Sequence, residues 1–382
     1  MKDQYCIDLN DIQIAHERIK GIVHETPVLT SRLISDQIMR NRADDFVFGG
    51  GEGKVEVFFK VEAMQRTGSF KFRGALNAVK SLVKDCEKEL IMNGQSFSDY
   101  GNTENMKLNV VTHSSGNHAQ ALALASKLGS TDKCKVNATI VMPNTAPQVK
   151  VDAVEGYGAE IIMVDNSNEA REGKASEIVE ERGASFIHPS EDPRVIAGQG
   201  TVSLELVDQV KMMCNDADLD VVVIPVGGGG LASGNLVALR GLLAEKVKIV
   251  LAEPASMDDA KRSFYSRKLL GHDVSNPLNS IADGLKTTLG NNTWPIIRDL
   301  ADEIITVSEM DILGATKLIW ERLKVCIEPS AGVGVAVILG NEFYSKILKS
   351  FSDTTHPVRV GVILCGGNVD VIKIASMMQT LP

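Results

Sequence analysis

A series of short, nearly unbroken apolar runs sets the strongest limit on what this chain can fold into. They are VEVFFKV (55–61), LNVVTH (108–113), ATIVMP (138–143), AEIIMVD (159–165), VVVIPV (221–226), VKIVLAE (247–253), EIITVS (303–308) and VRVGVIL (358–364). A strand with one wet face alternates apolar and polar residues, so a run that is apolar at almost every position predicts a strand covered on both faces. Helix-period stretches lie between the runs, such as HAQALALASKLG after Asn117 and SGNLVALRGLLAE after Gly230. Alternating strands and helices predict an α/β protein with open, mainly parallel sheets wrapped by helices. At 382 residues the chain has room for two domains with ample core.

A net charge of −9 disfavours a nucleic-acid or membrane-surface partner, because both select a basic face. The six cysteines, at 6, 86, 134, 214, 326 and 365, form no CxxC pair, which fits a reducing compartment and gives no zinc signature. The first twenty residues have no apolar signal core and no later run would span a bilayer, so the expected location is the cytoplasm. Residues 41–53, acidic then glycine-rich, and 84–107, helix-like then polar, read as surface insertions.

Four short constellations carry chemistry. In TGSFKFRGA (67–75), Lys71 stands between Phe70 and Phe72, a setting that favours a neutral, nucleophilic amine; the alternative is a lysine whose stem packs while its head reaches water. In VVVIPVGGGGLASGNL a buried strand runs into Gly227, Gly228, Gly229 and Gly230 and then a helix, which suits an anion cup rather than a flexible turn. The spacing is neither GxGxxG nor GxxxxGK[ST], so a dinucleotide fold or P-loop is poorly supported. In VTHSSGNHAQALALAS the turn Ser114, Ser115, Gly116, Asn117, His118 offers hydroxyls, an amide and N–H groups at a strand end, or simply caps a helix. Cys365 ends the last strand before Gly366, Gly367 and Asn368, and by itself reads as a small buried residue. Taken together, an anion cup, a carbonyl-reactive lysine, a carboxylate-sized polar turn and a soft group at a strand end match pyridoxal 5′-phosphate.

At these residues the chain resembles the fold-type II, tryptophan-synthase-β-like pyridoxal-phosphate enzymes, and within them the racemase branch of the serine/threonine dehydratase family. The similarity runs through GSFKFRGALNAV, THSSGNHAQALA, TAPQVKVDAVEGYGAE, VIAGQGT, PVGGGGL, IADGLK, WERLKVCIEPSAGVGVA and CGGNVD, nearly the whole chain apart from the two insertions. The resemblance implies a large domain of residues 1–108 and 192–382 and a small mobile domain of 109–191, with the active site between them. It implies that Lys71 is the Schiff-base lysine with Phe70 beside the ring, and that Gly227 to Gly230 hold the phosphate. Asn117 would bond the ring hydroxyl, Cys365 would face the ring nitrogen, and Ser114 to His118 would take the substrate carboxylate. Ser115, alanine in typical bacterial threonine dehydratases, would be the second base of a racemase.

EPASMDD (253–259) resembles the family's divalent-cation site, with carboxylates from Glu253 and Asp259 and the carbonyl of Met257 suited to Mg²⁺, Ca²⁺ or Mn²⁺. A dispersed match to an allosteric ATP site includes Thr67, Gln120, Tyr157, Lys324 and Asn368, with Arg66 in place of the usual lysine. A homodimer is implied as well. The expected activity interconverts L- and D-serine, with β-elimination to pyruvate and ammonia as a side reaction. The alternatives are a dedicated serine, threonine or 3-hydroxyaspartate dehydratase, an aspartate racemase, or a non-catalytic ligand-binding regulator. Cys365 stands where racemases usually have serine and liver-type serine dehydratases have cysteine. Ser190 replaces a frequent asparagine near the substrate side chain, and Arg194 either favours a dicarboxylate or lies on the surface.

Overall fold

The computed structural model describes residues 4–40, 55–92, 106–146, 148–273, 279–352, 354 and 356–381. Ten strands are present among them: β1 (Val28–Thr30), β2 (Val55–Val61), β3 (Met106–His113), β4 (Cys134–Pro143), β5 (Glu160–Val164), β6 (Ser185–Phe186), β7 (Val221–Pro225), β8 (Lys248–Pro254), β9 (Glu303–Val307) and β10 (Val358–Leu364). They form a six-stranded sheet of order β1-β2-β10-β7-β8-β9 and a four-stranded sheet of order β5-β4-β3-β6. Every pairing is parallel except the edge pair β1–β2. All eight apolar runs are strands, as their composition predicts. The two strands not anticipated, β1 and β6, span three and two residues and are too short to show a period.

Burial explains the unbroken runs. Val221, Val222, Val223 and Ile224 of β7 are all fully buried, so both faces of that strand are covered. In the four-stranded sheet Val110, Ile140 and Met142 join one apolar cluster, while Val111 and Val141 join another. Successive side chains alternate faces, and each face has its own core. The helices Lys71–Met92 and Asn117–Gly129 supply much of the first cluster through Phe72, Leu76, Val79 and Leu122. Segment 41–53 lies outside the described residues, as does 93–105 of the second expected insertion. That insertion's helix-like start is the last part of Lys71–Met92. No helix among the described residues is long and apolar enough to cross a membrane.

A buried ionic cluster ties the first sheet to the helices that carry the site. Arg73 donates to both Glu62 oxygens at 2.8 Å and to Glu205 at 2.6 and 2.8 Å. Lys60 donates to Glu205 at 2.7 Å, to the Thr26 carbonyl at 2.7 Å and to Gln209 at 2.8 Å. Two cations and two carboxylates thus link β2, the turn after it, the start of Lys71–Met92 and the helix Pro193–Met213. Burial by itself would lower the Arg73 pKa, but Glu62 and Glu205 outweigh it and hold the guanidinium charged. Burial lowers the Lys60 pKa against the pull of Glu205. Arg73→Met would strand two carboxylates around one lysine and is expected to cost about 3–5 kcal/mol. Urea denaturation of the variant against the parent tests this; a loss below about 1 kcal/mol, the scale of an exposed pair, would show that the cluster adds little.

Candidate active site

The turn leaving β2 places Lys71 at the first residue of its helix, and the end of β10 holds that turn. Phe70 N–H donates to the Cys365 carbonyl at 3.1 Å, and Gly367 N–H donates to the Gly68 carbonyl at 2.9 Å. Gly68 has a φ of +70°, and the Asn368 amide packs where a side chain would begin. These contacts align SFK with CGGN. Lys71 Nζ donates to the Pro189 carbonyl at 2.9 Å and lies 5.1 Å from the centre of the Phe70 ring. Burial lowers its pKa to about 8, against the opposing pull of Cys365 and Glu328.

Pro189 leads into the loop that walls the glycine turn. Gly229 adopts a φ of +82°, which an L side chain rarely takes. A Cβ on Gly228 would meet Ser190 Oγ at 2.7 Å, and one on Gly230 would meet Ser190 Cα at 2.9 Å. The turn therefore lies bare of side chains before the fourteen-residue helix Gly230–Leu243, as an anion held by backbone N–H groups requires. Glu191 braces the wall: it accepts from Asn292 N–H and Thr293 Oγ1, each at 2.7 Å, and Thr293 Oγ1 lies 3.2 Å from the Gly228 carbonyl.

The SSGNH turn joins the end of β3 to the helix Asn117–Gly129. Gly116 N–H donates to Ser114 Oγ at 3.2 Å, and Ser115 is half-buried. The Asn117 amide donates to the two Glu328 oxygens at 2.9 and 3.2 Å and accepts from Asn368 at 2.8 Å. His118 is buried and its Nε2 donates to the Ile187 carbonyl at 3.2 Å; burial, with Lys71 next, lowers its pKa to about 3. Its Nδ1 is buried with no hydrogen-bond partner among the described residues. Burial, then Glu328, raises the Cys365 thiol well above its usual range, so it stays protonated.

Hydrogen bonds thus join Phe70 to Cys365, Lys71 to the loop of Ser190, and Asn117 to Asn368. Glu328 was not singled out from sequence; before Pro329 it reads as a helix start. Its carboxyl is buried and raised to about 8, by burial first and Asp283 second. Arg194 is bound to Asp192 at 2.9 and 2.6 Å, so its charge is committed within its own loop.

The EPASMDD carboxylates lie at the end of β8 and the start of the helix Asp259–Ser266. Glu253 accepts from Ala260 and Lys261 N–H groups at 2.8 and 2.9 Å, and Asp259 lies 3.3 Å from His272. Burial raises both carboxyl pKa values, that of Asp259 to about 6, and Asp259 adds to the shift at Glu253. Met257 is buried beside them. No cluster of three or more His, Cys, Asp or Glu side chains suited to a metal occurs among the described residues. Of the dispersed nucleotide set, Asn368 donates to the Thr67 carbonyl at 2.6 Å, and Gln120 is buried on the adjacent helix. Tyr157 packs beside the core of the four-stranded sheet, and Lys324 is exposed with a φ of +59°.

The chain belongs to the Pyridoxal-phosphate dependent enzyme family, whose pattern matches residues 48–366. It is 42% identical to the serine racemase of Homo sapiens over 370 residues, 96% of this chain and 93% of that one. The solved serine racemase of Dictyostelium discoideum superposes with a TM-score of 0.76 at 39% identity, covering 96% of this chain and 99% of that one. A solved pyridoxal 5′-phosphate-dependent aspartate racemase gives a TM-score of 0.78 at 36% identity, covering 97% and 98%. These relatives fit the bare glycine turn and the lysine whose pKa burial depresses.

Glu328 provides a pH test. The folded chain holds its proton up to about 8, whereas an unfolded glutamate loses it near about 4.3. The folded state therefore binds the extra proton inside that window, and stability from this group falls as pH rises through it. Glu328→Gln should flatten the stability–pH profile between those values and gain, relative to the parent, no more than about 5 kcal/mol at the alkaline end. Urea denaturation across the window reads the difference; parallel profiles would show that the carboxyl titrates normally.

Proposed function

We propose that this chain is a pyridoxal-phosphate-dependent serine racemase that interconverts L- and D-serine, with β-elimination of serine to pyruvate and ammonia as a side activity. The observation that carries the reading is Lys71: an amine lowered to about 8, held at the Pro189 carbonyl between the CGGN strand end and the loop walling the glycine turn. In this reading Gly227 to Gly230 would hold the cofactor phosphate, Lys71 would anchor its aldehyde end, and Asn117 and Cys365 would serve its ring hydroxyl and ring nitrogen. When bound, the cofactor supplies an electron sink that acidifies the substrate's α-carbon.

The protein's own part is proton handling. Lys71 takes the α-proton of L-serine on one face. At neutral pH a pKa near 8 leaves about 300-fold more neutral amine than an ordinary lysine has. The turn Ser114 to His118 holds the carboxylate, which fixes the α-carbon between Lys71 and Ser115. Ser115 Oγ returns a proton on the opposite face to give D-serine, and the reverse reaction exchanges the two roles. Loss of the β-hydroxyl before reprotonation diverts serine to pyruvate and ammonia. A dedicated dehydratase is the second reading, favoured by the cysteine at 365. Glu253, Asp259 and the Met257 carbonyl are the proposed cation ligands, and Thr67, Gln120 and Asn368 the nearest part of a proposed ATP site. A homodimer with residues 109–191 as its mobile domain completes the reading.

Lys71→Ala is expected to abolish turnover and the visible absorbance of bound cofactor, measured on purified protein whose fold is checked by circular dichroism. Normal pyruvate release with that absorbance retained would remove Lys71 from the mechanism. Ser115→Ala separates the two readings. Lys71 alone can start elimination from L-serine, so pyruvate should still form from it, with the cofactor spectrum intact. D-Serine presents its α-proton to the other face and should become nearly inert. Chiral analysis of the product from L-serine, with pyruvate assayed from each enantiomer, checks this. Undiminished D-serine production would overturn the two-base assignment and favour the dehydratase reading with some other second base.

A further inference from the structure

Away from the site, three sulfurs meet where the late part of the helix Lys71–Met92 passes the first residues of β3 and β4. The Cys86 thiol donates to Met106 Sδ at 3.5 Å. Met106 opens β3, and its partner across the parallel pair is Cys134, which opens β4. Thr131 fastens the same corner. Its hydroxyl donates to Glu87 at 3.0 Å and accepts the Cys134 N–H at 3.0 Å, so the residue after Cys86 and the backbone of Cys134 share one side chain. Met106 therefore lies against the Cys86 thiol and directly beside Cys134 in the sheet. Both cysteines are free, Cys86 half-buried and Cys134 buried.

We propose that Cys86 and Cys134 form a reversible dithiol–disulfide pair that, when oxidised, ties the helix beginning at Lys71 to β4. The oxidant is a low-molecular-weight disulfide. The half-buried Cys86 attacks it, forming a mixed disulfide and releasing one small thiol. Cys134 then attacks the Cys86 sulfur, forming the internal disulfide and releasing the second small thiol. Two protein thiols are oxidised and one small disulfide is reduced, and the two thiol protons leave on the released thiols. Burial raises both pKa values, that of Cys134 to about 11; Glu89 and Glu87 add to the shift at Cys86 while Cys134 opposes it, and Cys86 and Glu87 add to the shift at Cys134. The pair therefore reacts slowly at neutral pH and faster in base, answering sustained rather than brief oxidation. Met106 occupies the Cys86 thiol until exchange turns it toward Cys134. The bond would close the chain between residues 86 and 134 and restrict the unfolded state.

The test treats the holoenzyme with oxidised glutathione, blocks free thiols, digests without reductant and maps the peptides by mass. The expected product is one linked peptide pair containing Cys86 and Cys134, abolished by dithiothreitol and formed faster as pH rises. Melting temperature should rise on oxidation in the parent and not in Cys86→Ser. In Cys134→Ser, Cys86 should stop at the glutathione adduct. A persistent adduct on Cys86 in the parent would overturn the proposal. So would both residues staying free while the exposed Cys326 is fully modified, or linkage of either to another cysteine. If Cys134→Ser fails to fold, peptide mapping of the parent decides alone.

Discussion

The Arg73 guanidinium, sealed between Glu62 and Glu205, is the interaction on which the rest of the site depends. It sits two residues after Lys71 on the same helix turn, so it holds the reactive amine's backbone against β2 and the helix Pro193–Met213. A lysine can be kept in an apolar pocket only if the backbone beneath it cannot move it back to water. The ionic cluster provides that restraint from below, and the bonds between the SFK turn and β10 provide it from above.

The same burial has opposite consequences a few ångströms apart. Arg73 is buried between Glu62 and Glu205, whose attraction outweighs its lost hydration, whereas at Lys60 burial outweighs the pull of Glu205. Lys71, His118, Glu328 and Cys365 are shifted chiefly by burial, and each shift favours the neutral form. Burial thus holds an imidazole, a carboxyl and a thiol of the pocket lining uncharged at neutral pH and brings the Lys71 amine to about 8, much nearer its neutral form than an exposed lysine. Such a lining suits a reaction whose proton donors and acceptors exchange a single proton without creating an isolated buried charge.

Much of this was legible in the sequence because it rests on local pattern. Continuous apolar runs specify two-sided strands, and four successive glycines before a helix specify a bare turn. For SFKFRG residue type alone also fits a lysine whose head reaches water, and the chemical reading comes from its combination with the other three constellations. What stayed hidden depends on long-range meetings. Glu328 reaches Asn117 across 211 positions of sequence, and Arg73 reaches Glu205 across 132. No spacing rule connects such pairs. The Pro189 carbonyl that receives Lys71 is backbone, so no residue type marks it. The strands β1 and β6 exist because neighbouring strands offer them partners rather than through any period of their own.

The neutral lining also bears on which amino acid the site accepts. In the proposed reading the N–H groups and hydroxyls of the SSGNH turn would hold the substrate's α-carboxylate. A second carboxylate on the substrate side chain would need a charge partner of its own in a low-dielectric pocket. Arg194 is the residue whose sequence position suggested such a partner, but Asp192 holds its guanidinium through two bonds. Toward the glycine turn the wall is Ser190, which offers one hydroxyl and no charge. A serine side chain requires only a single neutral hydrogen-bonding group. In the proposed reading the arrangement favours serine over aspartate, because the burial that lowers the Lys71 pKa to about 8 also penalises a second carboxylate, and Arg194 is already bound to Asp192.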